Sequence, residues 1–259
     1  MEKTKTPDPV LFVGAGPGDP ELITVKGRNA LENADLVIYA GSLVPEALLK
    51  WTRPDCSNVS SAAMHLDEII SAIDTAYRGG QKVVRLHTGD PSLYGAIYEQ
   101  MTALKAREIP YRVIPGVTAA FAAAAAMGIE YTLPQVSQSL ILTRMAGRTP
   151  VPERENLAAL AAHRTSMVIY LSVHLVEQMA ETLMQAYGKS APCAVVYRVS
   201  HPEERIVWTT IDRLAATVKE ENITRQALVI VGEILKAGQS DQVHPSKLYD
   251  KYFSHGFRK

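Results

Sequence analysis

The chain has 259 residues, of which 47% are hydrophobic and 21% are charged. This balance is typical of a globular protein and excludes a fibrous or intrinsically disordered one, and the length is sufficient for two compact α/β domains. Lysine plus arginine and aspartate plus glutamate each number 27, so the net charge is zero. No global field therefore favours a nucleic acid or an anionic membrane, and any anion site must be local.

The two cysteines, Cys56 and Cys193, lie far apart and have no metal-ligand spacing, which indicates reduced thiols in a cytoplasmic protein. The polar N-terminal residues lack the apolar core of a signal peptide, and the longest apolar run is too short to span a bilayer. We therefore expect a cytoplasmic protein without a membrane segment and without a bound metal.

In chain order, predicted strands and helices alternate as in an α/β fold. A buried strand at 10–13 runs into a glycine-rich turn, after which Asp19 is predicted to cap a helix with Pro20 at its first position. Further strands are predicted at 35–40, 82–87, 111–114, 139–143, 167–171, 194–197, 205–209 and 227–231. Further helices are predicted at 66–77, 92–107, 119–127, 155–162, 175–186 and 211–221.

A proline- and glutamine-containing stretch around residues 128–138 interrupts this pattern and indicates a crossing between two domains. We predict an N-terminal α/β domain over 1–130, a C-terminal α/β domain over 131–236 and a polar tail over 237–259. Each domain is expected to hold a mostly parallel or mixed sheet flanked by helices.

The first glycine-rich loop, residues 14–19, has the sequence Gly-Ala-Gly-Pro-Gly-Asp. It is not a P-loop, because no Gly-Lys-Ser/Thr tripeptide follows Gly18, and it is not a dinucleotide fingerprint, because Asp19 stands where that motif needs glycine. A carboxylate at a helix start disfavours a phosphate. Glycine backbone, carbonyl oxygens and carboxylates instead suit a cationic ligand that carries a sulfonium and an ammonium group.

Three loops together carry a resemblance to one family. Residues 13–27, residues 87–95 (His-Thr-Gly-Asp-Pro-Ser-Leu-Tyr-Gly) and residues 115–119 (Pro-Gly-Val-Thr-Ala) resemble, in order, the signatures of the tetrapyrrole methyltransferases, also called class III methyltransferases. The Gly-Asp-Pro tripeptide alone is typical of any capped helix start, and its place between the other two loops favours a cofactor role. The resemblance implies two α/β domains with S-adenosylmethionine bound in the cleft between them and S-adenosylhomocysteine as product.

The resemblance also implies which positions line the cofactor pocket, with Asp90 holding a polar end of the cofactor. From the first domain they are Pro17, Gly89, Asp90, Leu93, Thr118 and Ala119. From the second domain they are Leu171, Val199, Ala227 and Leu228. Because Leu171 ends an apolar strand, packing in the hydrophobic core is the alternative to a cofactor contact for this residue.

Three further segments, residues 39–44, 60–67 and 140–152, resemble the branch of the family that methylates C11 of precorrin-4 or cobalt-precorrin-4 in cobalamin biosynthesis. A sister branch, the uroporphyrinogen-III methyltransferases, carries an aspartate after the second strand, where this chain has Gly41. This departure argues against the sister activity and removes that branch's proposed base. No catalytic base is assigned by analogy, and transfer from an activated methyl group can rely on positioning in a dry cleft.

A precorrin carries several acetate and propionate groups, so its site should present basic side chains. Arg144 and Arg148 follow a predicted strand near the domain junction and are the candidates, with solvated loop charges as the alternative. Tyr94, His65 and Ser61 are further candidates to contact the macrocycle, although for each residue taken singly a structural or surface role is favoured.

The sequence leaves two alternative functions open. One keeps the fold and cofactor but changes the acceptor to another precorrin position, a diphthamide precursor or ribosomal RNA. The balanced charge disfavours an RNA partner. The other is a non-catalytic nucleotide-binding protein. The family resemblance further implies a homodimer.

Overall fold

The computed structural model describes residues 8–41, 44–237, 246, 249–254 and 256. The chain divides into two compact units, Met1–Ala122 and Ala123–Lys259. This division lies inside a helix, upstream of the domain boundary that we predict after residue 130. Within the described residues, no helix has both the length and the apolar character that a membrane crossing requires.

The first unit holds a five-stranded, all-parallel sheet in the order β3-β2-β4-β1-β5. Its strands are β1 (Val10–Gly14), β2 (Leu36–Tyr39), β3 (Ser57–Ser60), β4 (Val83–His87) and β5 (Tyr111–Ile114). Its helices are α1 (Val25–Glu32), α2 (Leu66–Arg78) and α3 (Ile97–Ala106), and α4 (Ala119–Met127) contains the point of division. Because all the strands run in one direction, their carboxyl ends meet at one edge of the sheet, which is where ligands bind in folds of this kind.

The centre of this sheet is fully buried, because β4 and β1 are covered on both faces. One face packs Phe12, Ile38 and Ile70 into an apolar cluster under α2 and α3. The other packs Val13, Leu31 and neighbouring residues under α1. Two-sided burial explains why these strands are nearly continuous hydrophobic runs rather than alternating ones.

Two predicted helix starts were wrong. Asp19 caps only a three-residue 3₁₀ helix, Pro20–Leu22, by accepting a hydrogen bond from the Glu21 N–H, and α1 begins at Val25 with the Thr24 hydroxyl as its cap. The helix predicted from residue 92 begins at Ile97, because the preceding turn takes left-handed backbone angles. Strand β3 and a 3₁₀ helix at Glu46–Trp51 were not predicted.

The second unit holds a five-stranded mixed sheet in the order β6-β7-β10-β8-β9. Its strands are β6 (Leu140–Arg144), β7 (Ser166–Tyr170), β8 (Pro192–Tyr197), β9 (Arg205–Thr210) and β10 (Ala227–Val231). Its helices are α5 (Leu157–Ala161), α6 (Val176–Tyr187), α7 (Leu214–Glu220) and α8 (Ile234–Ala237). The β6–β7 pair is parallel and the other pairs are antiparallel. The expected fold, two α/β units with parallel or mixed sheets, is confirmed.

Both cysteines are buried and free, in agreement with the prediction of reduced thiols. Cys193 lies in the core of the second unit, where burial raises the pKa of its thiol to about 12. Burial also raises the pKa of the Cys56 thiol. A thiol that stays protonated is a poor nucleophile, so neither side chain is suited to covalent catalysis.

Candidate functional site

Two glycine-rich loops join at the carboxyl edge of the first sheet. The Gly89 N–H donates to the Gly16 carbonyl at 2.8 Å, and the Gly16 N–H donates back to the Gly89 carbonyl at 3.2 Å. Both glycines have positive φ, +80° for Gly16 and +59° for Gly89, which most side chains disfavour. The Ala15 N–H also bonds the His87 carbonyl at 2.7 Å. The loops after β1 and β4 are therefore held together by their backbones.

The third loop, which follows β5, packs against this pair through Gly116. A Cβ atom at Gly116 would lie 2.1 Å from the Gly89 carbonyl oxygen, and one at Gly14 would lie 2.5 Å from the Gly116 Cα. Such distances leave no space for any side chain. The close approach of the three loops therefore requires glycine at positions 14 and 116.

Asp90 ties the second loop to the third. Its Oδ2 accepts a hydrogen bond from the Gly116 N–H at 2.9 Å, and its Oδ1 accepts from the Ser92 N–H at 2.8 Å and from the Ser92 hydroxyl. Burial alone would raise the pKa of this carboxyl, but these hydrogen bonds lower the pKa below its ordinary value. Asp90 is therefore ionised at neutral pH and holds the loops in place.

The charge of the three loops decides which ligands they fit. Residues 14–19, 88–95 and 115–119 contain no lysine, arginine or histidine, and their charged residues are Asp19 and Asp90. A site for a phosphate would normally present basic side chains. A glycine cradle whose only charges are carboxylates fits a cationic ligand such as a sulfonium.

The turn between β4 and α3 carries two of the predicted contact residues. Leu93 is half-buried, and Tyr94 is 43% exposed. Tyr94 and Ala96 have positive φ, +58° and +48°, and a Cβ on the intervening Gly95 would lie 2.2 Å from the Pro91 carbonyl oxygen. The turn is tight and left-handed, and it presents Tyr94 to solvent at the loop edge.

Two buried polar side chains lie on the sheet beneath this turn, and the sequence interpretation missed both. Arg85 is 4% exposed and donates to the Gln100 side-chain oxygen at 3.0 Å and to the Ile38 carbonyl at 3.1 Å. Burial lowers its pKa to about 10, so it remains charged at neutral pH. The available signal was an arginine and a histidine two residues apart, and hence on one face, in the otherwise apolar strand Val-Val-Arg-Leu-His.

The second of these side chains is His87, which is 4% exposed and stacks on Phe12 with ring centroids 5.8 Å apart. Its Nε2 is buried without a hydrogen-bond partner among the described residues. Burial, with a contribution from the Arg85 charge, lowers the pKa of His87 to about 3. The imidazole is therefore neutral at physiological pH.

The other predicted residues of the first unit differ in their surroundings. Pro17 and Thr118 are buried within the loops, and Ala119 is half-buried at the start of α4. The Ser61 hydroxyl donates to the Tyr39 carbonyl at 3.1 Å, just beyond the carboxyl ends of β2 and β3. His65 is exposed immediately before α2, and its backbone N–H bonds the Glu68 carboxylate.

Gly41, the position at which we expect an aspartate in the sister branch, stands just beyond β2. A Cβ atom at this position would lie 2.0 Å from the Ser60 Oγ. The serine side chain therefore occupies the space that a side chain at position 41 would need.

In the second unit, the four predicted cofactor positions lie at one edge of the sheet. Leu171 and Val199 follow the ends of β7 and β8, while Ala227 and Leu228 begin β10, which runs antiparallel to both. The last three are nearly fully buried, but Leu171 is 57% exposed and has a φ of +54°. The exposure of Leu171 is inconsistent with a core role.

Arg144 ends β6 at this same edge, where it pairs with Tyr170. Its guanidinium donates to the carbonyls of Met145, Thr149 and Pro150 at 3.2, 3.1 and 2.6 Å. The side chain thereby closes the loop over residues 145–150 on itself. Arg148, within that loop, is exposed and forms no hydrogen bond or ion pair with the described residues.

No group of three histidine, cysteine, aspartate or glutamate side chains that could hold a metal ion occurs within the part of the chain that the structure describes.

The sequence and the fold both match known proteins. A cobalt-precorrin-4 C(11)-methyltransferase of Methanocaldococcus jannaschii is 49% identical over 251 residues, which cover 96% of each chain. A precorrin-4 C(11)-methyltransferase of Pseudomonas aeruginosa is 46% identical over 250 residues, 96% of this chain and 98% of that one. Among solved structures, a uroporphyrin-III C-methyltransferase from Thermus thermophilus complexed with S-adenosyl homocysteine has a TM-score of 0.74 at 28% identity, covering 89% of this chain and all of that one.

The family model of the tetrapyrrole (corrin/porphyrin) methylases matches residues 9–215, which include all three glycine-rich loops and both sheets as far as β9. The expected family is therefore confirmed. The chain belongs to the tetrapyrrole methylases and is a methyltransferase.

Proposed function

We propose that this methyltransferase transfers a methyl group from S-adenosylmethionine to C11 of precorrin-4 or cobalt-precorrin-4, a step of cobalamin biosynthesis. The observation that carries the proposal is the identity of 46–49%, over nearly the whole chain, to relatives that are named for this reaction. The absence of the sister branch's aspartate at Gly41 supports the same assignment.

S-adenosylmethionine is the cofactor that fits the three loops at the carboxyl edge of the first sheet. When bound, it supplies a methyl group already activated on a sulfonium, so that transfer to carbon needs positioning more than acid–base assistance. On the side of the protein, Asp90 ties the second loop to the third, and the glycines let the loop backbone approach a ligand closely. We propose Pro17, Gly89, Asp90, Leu93, Thr118 and Ala119 as cofactor residues of the first unit, and Leu171, Val199, Ala227 and Leu228 as those of the second.

For the polycarboxylate substrate, we propose Arg148 as the side chain that binds an acetate or propionate group. It is exposed, and its loop is held by the hydrogen bonds of Arg144. The guanidinium of Arg144 retains N–H groups beyond those used on the loop, so it can assist the same carboxylate. Tyr94, His65 and Ser61 are proposed contacts to the macrocycle, of which Tyr94 and His65 are exposed.

We further propose a cytoplasmic homodimer. Two free and buried thiols are consistent with a reducing compartment, and the dimer rests on the family resemblance alone. Light scattering coupled to size-exclusion chromatography would measure the mass directly. A mass near 28.3 kDa would contradict the dimer.

The test of the proposed function is a methyl-transfer assay with labelled S-adenosylmethionine. Enzymatically prepared precorrin-4 and cobalt-precorrin-4 would be offered in parallel, and the position of the new methyl group would be determined by NMR. Label at C11 supports the proposal, and the better substrate identifies the form of the pathway. Label at another carbon contradicts the position, while binding of S-adenosylhomocysteine without transfer to either substrate contradicts the acceptor.

A further inference from the structure

Arg85 is a buried charge without a counter-ion. It lies on the central strand β4, is 4% exposed, and forms no ion pair with a described carboxylate. Its two hydrogen-bond acceptors among the described residues, the Gln100 side chain and the Ile38 carbonyl, are neutral. Removing a guanidinium from water without an opposite charge is unfavourable, and an apolar residue of similar size would fill the same space without that cost. Core packing therefore does not explain this side chain.

The hydrogen bonds of Arg85 continue to the strained turn. Gln100 accepts from Arg85 through its side-chain oxygen, and its side-chain nitrogen donates to the Ala96 carbonyl at 3.2 Å. Arg85 thus fixes the orientation of the Gln100 amide, because a flipped amide would place two donors against each other. The side-chain NH2 group of Gln100 is then directed toward the Ala96 carbonyl.

The backbone of Ala96 adopts an unfavourable conformation that surrounding contacts must stabilise. It precedes α3 in the left-handed region, with φ +48° and ψ +37°, and no side chain caps the helix at this point. Tyr94 adopts a second left-handed conformation two residues earlier. Residues other than glycine disfavour this region, so they remain there only where surrounding contacts impose it. The same turn follows Asp90 and carries Leu93 and Tyr94.

We propose that Arg85 and Gln100 are positioning residues that hold the turn over residues 93–96 in its left-handed conformation, and thereby complete the cofactor-binding loop after β4. This inference rests on the proposed cofactor site. The two residues need not touch a ligand, since Arg85 acts through Gln100, and Gln100 acts through the Ala96 carbonyl.

The decisive variant is Gln100→Glu. A glutamate keeps an acceptor for Arg85 and adds an opposite charge, so the core should stay intact, but it loses the side-chain N–H that donates to the Ala96 carbonyl. We expect an unchanged or higher Tm together with a dissociation constant for S-adenosylhomocysteine raised about tenfold, because the turn no longer favours the conformation that binds the ligand. Amide hydrogen exchange over residues 93–97 should also become faster, which reports on the turn without any ligand.

Two further variants separate positioning from general stability. The double variant Gln100→Glu/Ala96→Gly should recover most of the affinity, because glycine adopts the left-handed conformation without strain. The control Leu104→Ala removes a fully buried side chain from the same helix, α3. It should lower the Tm while leaving the dissociation constant and the exchange of residues 93–97 close to those of the wild type.

The outcomes distinguish this inference from the proposed function. If the wild type fails to bind S-adenosylhomocysteine, the cofactor assignment is wrong, and hydrogen exchange still decides whether the turn depends on Gln100. If Gln100→Glu binds and exchanges like the wild type, the positioning role is wrong. An equal loss of affinity in Leu104→Ala would also overturn it, because affinity would then follow global stability.

Discussion

The carboxylate of Asp90 accepts a hydrogen bond from the backbone N–H of Gly116 at 2.9 Å, across 26 positions of the chain. The other oxygen of the same carboxylate is bound by Ser92. One ionised side chain thus joins the loop after β4 to the loop after β5. Because β1 lies between β4 and β5 in the sheet, this carboxylate connects two loops whose strands are not neighbours.

Substitution Asp90→Asn should weaken binding of S-adenosylhomocysteine about 10- to 100-fold, since hydrogen bonds to a charged acceptor contribute about 1.5–3 kcal/mol. An amide has one oxygen and cannot accept from both sides. Titration calorimetry measures the effect. Ser92→Ala removes only the hydroxyl donor and should cost less, so an equal or larger loss in Ser92→Ala would contradict the tie between the two loops.

Substitution Gly116→Ala should abolish detectable cofactor binding and destabilise the fold by about 1–3 kcal/mol, the usual cost of overpacking. The added methyl group would lie 2.1 Å from the Gly89 carbonyl oxygen, which is backbone and cannot rotate away. Gly80→Ala is the matched control, because its Cβ would meet no atom within 4 Å but its φ is +77°. It should lose stability in urea titrations and keep its affinity. If Gly116→Ala bound S-adenosylhomocysteine as tightly as the wild type, the close approach of the loops would not be needed for cofactor binding.

Stability should depend on pH through His87, whose pKa falls from 6.5 to about 3 on folding. Between these values the unfolded chain binds a proton that the folded chain does not, so stability decreases as the pH falls, by at most about 1.4 kcal/mol per pH unit. His87→Leu removes this dependence. Relative to the wild type, the variant should gain about 2 kcal/mol between pH 8 and pH 5 in urea unfolding. An equal change in stability at pH 8 and at pH 5 in His87→Leu would refute the argument.

Substitution Arg148→Gln should raise the KM for the tetrapyrrole about tenfold, because one charge-assisted hydrogen bond to a carboxylate is lost. The affinity for S-adenosylhomocysteine should not change, and the KM should become less sensitive to salt. Steady-state kinetics at two ionic strengths measure both effects. Arg154→Gln, a nearby exposed arginine, serves as the control. Equal changes in the two variants would indicate a general effect of surface charge.

The sequence predicted the central elements well, because buried strands such as Val-Val-Arg-Leu-His are visible from hydrophobicity alone. Strand β3 was missed since Ser-Asn-Val-Ser has one apolar residue, and an edge strand need not be buried. The start of α3 was placed too early because Asp90-Pro91 looks like a capped helix start. Local propensity does not show that Tyr94 and Ala96 take left-handed angles.

The motifs likewise located the three loops of the candidate site, but they did not predict the contacts that support these loops. The pairing of Arg85 with Gln100 depends on how α3 lies over β4, which no spacing in the sequence reveals. Arg144 was predicted as a substrate ligand or a solvated loop charge, and its bonds to the carbonyls of its own loop arise from a turn that the sequence does not specify. Tertiary geometry therefore determined which polar side chains support the site.

The contact at Gly41 bears on how the branches of this family diverged. Because the Ser60 hydroxyl lies 2.0 Å from where a Cβ at position 41 would stand, an aspartate cannot enter there while the serine keeps its rotamer. Conversion toward the sister branch thus has to pass through a change at position 60 or a rotation of its side chain. Positions 41 and 60 are therefore coupled, because a side chain at position 41 is accommodated only when that of Ser60 rotates or is replaced.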